Sequence, residues 1–201
     1  MAPFKVDPDH VKEFKTEAAF DRWLKANHGK ADELWIRIFK KDSGVPSITP
    51  LEAIDVVLCW GWIDAIRKSL DEVSFLQRYV PRRKASIWSK INRDNVARLT
   101  KEGRMQPSGQ AEIDRAKTDG RWDKAYDSTP SKIMPKDLMD AIEAEPKALA
   151  MFKILTSQNR FALGFRVHNM KTEAGRTKKI ADFVAMLKRG ETIYPQKAKA
   201  P

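Results

Sequence analysis

Residues 34–40 alternate cleanly. Leu34, Ile36 and Ile38 face one way and Trp35, Arg37 and Phe39 the other, which is the two-residue period of a strand. Upstream, Ala19, Phe20, Trp23 and Leu24 recur at helical spacing. A helix is predicted from Thr16, its cap, to His28-Gly29, where Gly29 would take the left-handed conformation that ends many helices. Lys41 to Ser47 reads as a loop. Thr49-Pro50-Leu51-Glu52 then combines a capping threonine, a proline at the first helical position and the glutamate of a capping box. The helix it starts is expected to bury Leu51, Ile54, Val57 and Leu58 and to stop at Gly61. Trp62 to Leu70 and Val73 to Val80 alternate polar with aromatic or β-branched residues and predict a hairpin through Asp71-Glu72.

From Ser86 the pattern turns helical. One helix carries Val96 and Leu99, with Asn92 as its expected cap and Gly103 at its end; a second starts at Pro107 and stops near Gly120. A stretch rich in Asp, Ser and Pro runs from Trp122 through Thr129-Pro130 to Pro135. Beyond it lie four helical segments: Pro135 to Ala144, Pro146 to Thr156, Gln158 to Met170 and Thr172 to Arg189. The third has Phe161, Phe165 and His168 on one stripe and Leu163, Val167 and Met170 on the opposite one, the pattern of a central helix. The fourth carries Ile180, Phe183, Val184 and Leu187 at i, i+3, i+4 and i+7. The expected fold class is α+β, a small antiparallel sheet with packed helices followed by an all-helical C-terminal module. The expected division is residues 1–127, 128–194 and a flexible tail at 195–201.

Composition adds scale and charge. A chain of 201 residues with 42% hydrophobic content can bury a substantial core. No window approaches the roughly eighteen apolar residues of a membrane span. The first residues lack the apolar run of a secretory signal, and Cys59 is the single cysteine, so a cytoplasmic location is expected. The net charge is +11 and uneven. Residues 146–201 hold 12 basic and 3 acidic groups. Arg78, Arg82, Arg83, Lys84, Lys90 and Arg93 succeed one another with no acid between them. Such fields attract polyanions.

Candidate chemistry is sparse. There is no glycine-rich phosphate loop, no paired His/Cys spacing and no nucleophile elbow. No metal and no cofactor are expected, and a non-enzymatic role is favoured. His28 reads as a helix-end residue and His168 as a core-edge one. Cys59 sits near a helix C-terminus, where the dipole opposes a thiolate, and reads as a small buried hydrophobe. Trp60-Gly61-Trp62-Ile63-Asp64 admits two readings: a packed corner in which Asp64 caps or pairs with Arg67 or Arg78, and an aromatic cleft holding an acid. The expected binding residues are Trp62, Asp64, Arg78, Arg82, Arg83, Trp88 and Lys90. Their expected partner is an anionic small molecule or an acidic protein. Single-stranded nucleic acid is the alternative, because Tyr79 and Trp88 interleave with the cations. A third reading makes Asp64 a general acid or base.

Gly61-Trp62-Ile63-Asp64, Phe75 to Arg83, Ser86 to Asn92 and Glu102-Gly103-Arg104-Met105 together resemble the YdeI/OmpD-associated family, whose members carry the label bacteriocin-protection. Ser157-Gln158-Asn159-Arg160 and Arg176 to Ile180, continuing through Arg189-Gly190-Glu191, resemble its OmdA module. The resemblance implies an N-terminal α+β domain of the small YdhG-like type and a helical C-terminal module. It also implies a link to stress or antimicrobial-peptide tolerance. It supplies no set of catalytic residues.

Overall fold

In the computed structural model, residues 6–7, 10–127 and 134–196 are described. They fall into two compact units, one ending at Ala125 and the other beginning at Tyr126. Residues 128–133 of the expected linker and 197–201 of the expected tail lie outside the described residues.

The first unit is an α+β layer. A four-stranded sheet has the order β1-β2-β4-β3, with β1 at Val11–Lys12, β2 at Leu34–Phe39, β3 at Trp62–Ser69 and β4 at Ser74–Pro81. The three long strands pair antiparallel, as the alternation predicts. The two-residue β1, too short to show a period, adds a parallel pair on β2. Helices α1 (Glu17–Asn27) and α2 (Pro50–Cys59) pack together and enclose the main core with the sheet face that carries Leu34, Ile36, Ile38 and Tyr79. Helices α3 (Lys90–Lys101) and α4 (Pro107–Thr118) pack on α2. The approach of α4 is very close: a Cβ on Gly109 would stand 2.1 Å from the Cys59 carbonyl oxygen, so only glycine fits.

Local signals set most boundaries. Thr16 accepts from the Ala19 N–H, and Thr49 with Glu52 forms the full capping box. Gly61 takes φ +76° and turns α2 into β3.

Three local expectations change. Leu51 is 75% exposed, because the buried stripe of α2 runs through Ala53, Val56 and Val57 and places Leu51 on the far side. Gly29 does not turn left-handed; the Lys30 and Ala31 N–H groups both bond the Asn27 carbonyl and continue a right-handed turn. The cap of α3 is Ser89, whose hydroxyl accepts from the Asn92 N–H, so Asn92 lies inside the first turn.

The second unit is all helix among its described residues: α5 (Lys136–Glu143), α6 (Pro146–Lys153), α7 (Ser157–His168) and α8 (Glu173–Lys188). Leu138, Ile142, Met151, Leu163, Val167, Phe183 and Leu187 form its core. Asn159 is buried on α7. Its side chain bonds both the N–H and the carbonyl of Tyr194 and the Gln196 side chain, pinning the segment after α8. His168 is exposed. No helix among the described residues is long and apolar enough to cross a membrane.

Candidate functional site

The tryptophan corner is built around the end of α1. Trp62 is 1% exposed; its indole N–H donates to the His28 carbonyl at 3.2 Å and its ring meets Trp23 edge-on at 6.2 Å. Trp60 donates to Asp21 at 2.8 Å and packs beside the His28 ring at 4.7 Å. Both indoles have their polar atoms satisfied inside the unit and fix the turn from α2 to β3 against α1. Cys59, buried next to them, has its thiol pushed up to about 11 by loss of solvent, with Arg104 partly offsetting the shift. A thiol of that kind is inert at neutral pH.

Asp64 lies two residues on, opposite Tyr79 on β4. The residue as a whole is exposed, yet surrounding protein withholds solvent from its carboxyl and raises it above the ordinary value. Its own backbone N–H, Arg82 and Arg67 work against the rise. Exposure keeps the net effect modest. Desolvation, and then the charge of Asp64, also push up the buried Tyr79 hydroxyl. The strand is an edge of the sheet, and its register slips between Asp64 and Arg67. A bulge and charged side chains there hinder another strand from pairing.

Arg78 stands elsewhere. It pairs opposite Trp35, so it points to the other face of the sheet from Tyr79 and Asp64. Its guanidinium holds the Glu33 carboxylate, with Nε at 2.7 Å. On the same face, Arg37 bridges Glu13 and Asp71 and lies over Phe39.

Arg82 is only 6% exposed. Its guanidinium lies over the Trp88 ring, 3.6 Å from the centroid, and donates to the Ile87 carbonyl. Trp88 meets Trp122 edge-on at 4.9 Å, and Arg93 and Lys117 lie over the Trp122 ring at 5.2 and 5.6 Å from its centroid. Arg93 also donates to the Trp122 carbonyl at 2.9 Å, and Arg121 to the Ser86 carbonyl at 2.5 Å. The result is a cation–aromatic stack that clamps the segment between β4 and α3 onto the unit.

The clamp anchors a short turn at its base. Arg83 donates its N–H to the Ser86 hydroxyl, and the Ser86 N–H donates to the Arg83 carbonyl. Arg83 and Lys84 project from this turn into solvent, with no ion pair to either among the described residues. Lys90, at the start of α3, is exposed as well.

The seven expected residues therefore occupy separate places. Trp62, Arg82 and Trp88 lie inside the unit, Asp64 on the edge strand and Arg78 on the opposite sheet face, while Arg83 and Lys90 are exposed. Sequence spacing did not single out a concavity lined by His10, Lys12, Trp23, Lys30, Asp32 and Glu33, since these come from three separate segments. Among the described residues no group of histidine, cysteine and carboxylates is arranged to hold a metal.

Comparison with known families agrees with the two-unit layout. Residues 132–190 match the model described as bacteriocin-protection, YdeI or OmpD-associated, called OmdA. The helical unit thus carries a YdeI/OmpD-associated, OmdA-type domain. Residues 12–112, half of the chain, match a domain of unknown function, DUF8412, and the chain belongs to that family. The motif from Gly61 to Asn92 falls in that segment, so the OmdA match itself rests on the helical unit. No curated protein and no solved structure matches the chain.

Proposed function

We propose that this protein is a non-catalytic binding protein for an acidic protein partner, acting in the cytoplasm. The turn that presents Arg83 and Lys84 carries the reading. Two exposed cations, with no ion pair to either among the described residues, are held on a turn whose root is the buried Arg82–Trp88 stack. A surface built this way presents charge with little loss of side-chain freedom in the scaffold behind it. The net charge of +11 adds long-range attraction. Buried, uncharged Cys59 accords with a reducing compartment.

The same observation supports this partner over single-stranded nucleic acid. Base stacking needs an open aromatic face, and the Trp88 ring is 2% exposed between Arg82 and Trp122. Catalysis by Asp64 has less support, since Arg67, Arg82 and a buried phenol are the neighbours the structure gives it. The family label points to peptide tolerance, but direct capture of a cationic peptide by a +11 protein works against like charge. A role in tolerance would then run through the acidic partner.

Fluorescence anisotropy with labelled poly-L-glutamate tests the proposal. The Arg83→Ala/Lys84→Ala protein should bind about tenfold more weakly than the parent, with an unchanged melting temperature. Equal affinity in the two proteins would overturn it.

A further inference from the structure

A concavity of about 300 Å³ opens in the first unit between the start of β1, the C-terminal half of α1 and the turn leading into β2. Trp23 forms its aromatic wall. That indole is half-buried, held edge-on by Trp62 at 6.2 Å and by Phe14 at 6.5 Å, so it cannot swing aside without disturbing the core. Lys12 and Lys30, both exposed, line the cavity from opposite segments. Asp32 and Glu33 supply the acids. Glu33 is already committed: Arg78 holds one carboxylate oxygen and His10 Nδ1 stands 3.5 Å from the other. With Glu33 neutralised by Arg78, two lysines face one unengaged carboxylate, Asp32, and the balance favours an anion.

We infer that this cavity binds a small aromatic carboxylate, its ring laid against Trp23 and its carboxylate between Lys12 and Lys30. The size suits the lower range of small-molecule sites, which pair apolar walls with a few placed charges. Lysine ammonium groups suit a carboxylate head as mobile point charges, and the fixed indole face suits a flat ring. Glu33, immobilised by Arg78, gives a polar edge near His10 that accepts a hydrogen bond from a ring hydroxyl or N–H. This site is separate from the Arg83–Lys84 turn and stands whether or not that turn binds an acidic protein.

The test is an NMR titration of the whole protein, reading the Trp23 indole N–H, assigned with a Trp23→Phe sample. Indole-3-carboxylate is the probe; cyclohexanecarboxylate and inorganic phosphate are the controls. The expected result is a saturable shift with indole-3-carboxylate and at least about tenfold weaker binding of both controls. Lys12→Glu/Lys30→Glu, two exposed changes that leave the core intact, should abolish saturation. Arg83→Ala/Lys84→Ala should leave it unchanged. No saturable shift in the parent, the same affinity for cyclohexanecarboxylate, or saturation that survives Lys12→Glu/Lys30→Glu would each overturn the inference.

Discussion

Arg82 and Arg83 are neighbours in sequence with opposite fates. Arg82 is buried over Trp88, whereas Arg83 projects into solvent. Arg82→Ala should cost about 2–4 kcal/mol of stability, because it removes a desolvated cation–π contact and opens a cavity beside Trp88. Arg83→Ala should stay within about 0.5 kcal/mol, and urea denaturation separates the two. The run of basic residues was legible in the sequence; which of its members would turn inward was not. That choice depends on Trp122, which lies beyond α4 in the chain yet packs on Trp88, and on Arg93 of α3, which lies over Trp122. Asp64 makes a pH prediction. Its carboxyl is raised in the folded state by desolvation, so the folded form holds the proton more tightly than the unfolded one. The stabilising effect of protonation is complete below the ordinary value of 3.8 and is lost as pH rises through the raised one. Asp64→Asn should therefore raise the melting temperature at neutral pH, and the gain should vanish as pH falls below 3.8. A gain of equal size at both ends would show that desolvation of Asp64 is not its cause.

Elements kept to their patterns closely where the period was long and the caps were explicit. The alternation of β2 and the capping box of α2 were both readable, since each is a local property of the backbone. The stripe of α2 was rotated relative to expectation because four neighbours compete for it: the sheet face, α1, α3 and α4. Nothing local marks Leu51 as the residue left outside. Gly109 shows the same limit from the other side. A glycine inside a helix reads as a weak position, yet here it lets α4 sit against the Cys59 carbonyl. Gly109→Ala should cost about 3 kcal/mol despite improving helix propensity, because a rigid backbone oxygen occupies the space of the new methyl group. Chemical denaturation measures this directly; a neutral or stabilising outcome would mean that α4 docks less closely than the structure shows. The Trp60–Asp64 corner divides likewise. Its tryptophans are posts between α1 and β3, and the edge strand beyond them carries a bulge and charges that discourage strand addition.

As a whole the chain has two units, the first matching a domain of unknown function and the second an OmdA domain. Its α+β class was legible from the switch between two-residue and helical periods. The expected ligand residues were less so. Charge and aromatic content are visible along the chain, but burial decides whether a cation is structure or surface. Trp88 and Arg82 pack on each other inside the unit, and the concavity at Trp23 draws on segments too far apart in sequence to suggest a site. The surface left to solvent is that of a positive protein with an exposed Arg83–Lys84 turn closed by Ser86. Its proposed binding of an acidic partner has a distinctive electrostatic signature. Affinity for poly-L-glutamate should fall steeply with salt, and the Arg83→Ala/Lys84→Ala protein should show a shallower dependence. The most direct check is the affinity of both proteins measured by anisotropy across a salt series, with a single-stranded oligonucleotide run in parallel. Tighter binding to polyglutamate, with a salt dependence that flattens in the double variant, is the predicted result. Salt-independent binding, identical salt dependence in the two proteins, or a preference for the oligonucleotide would contradict it.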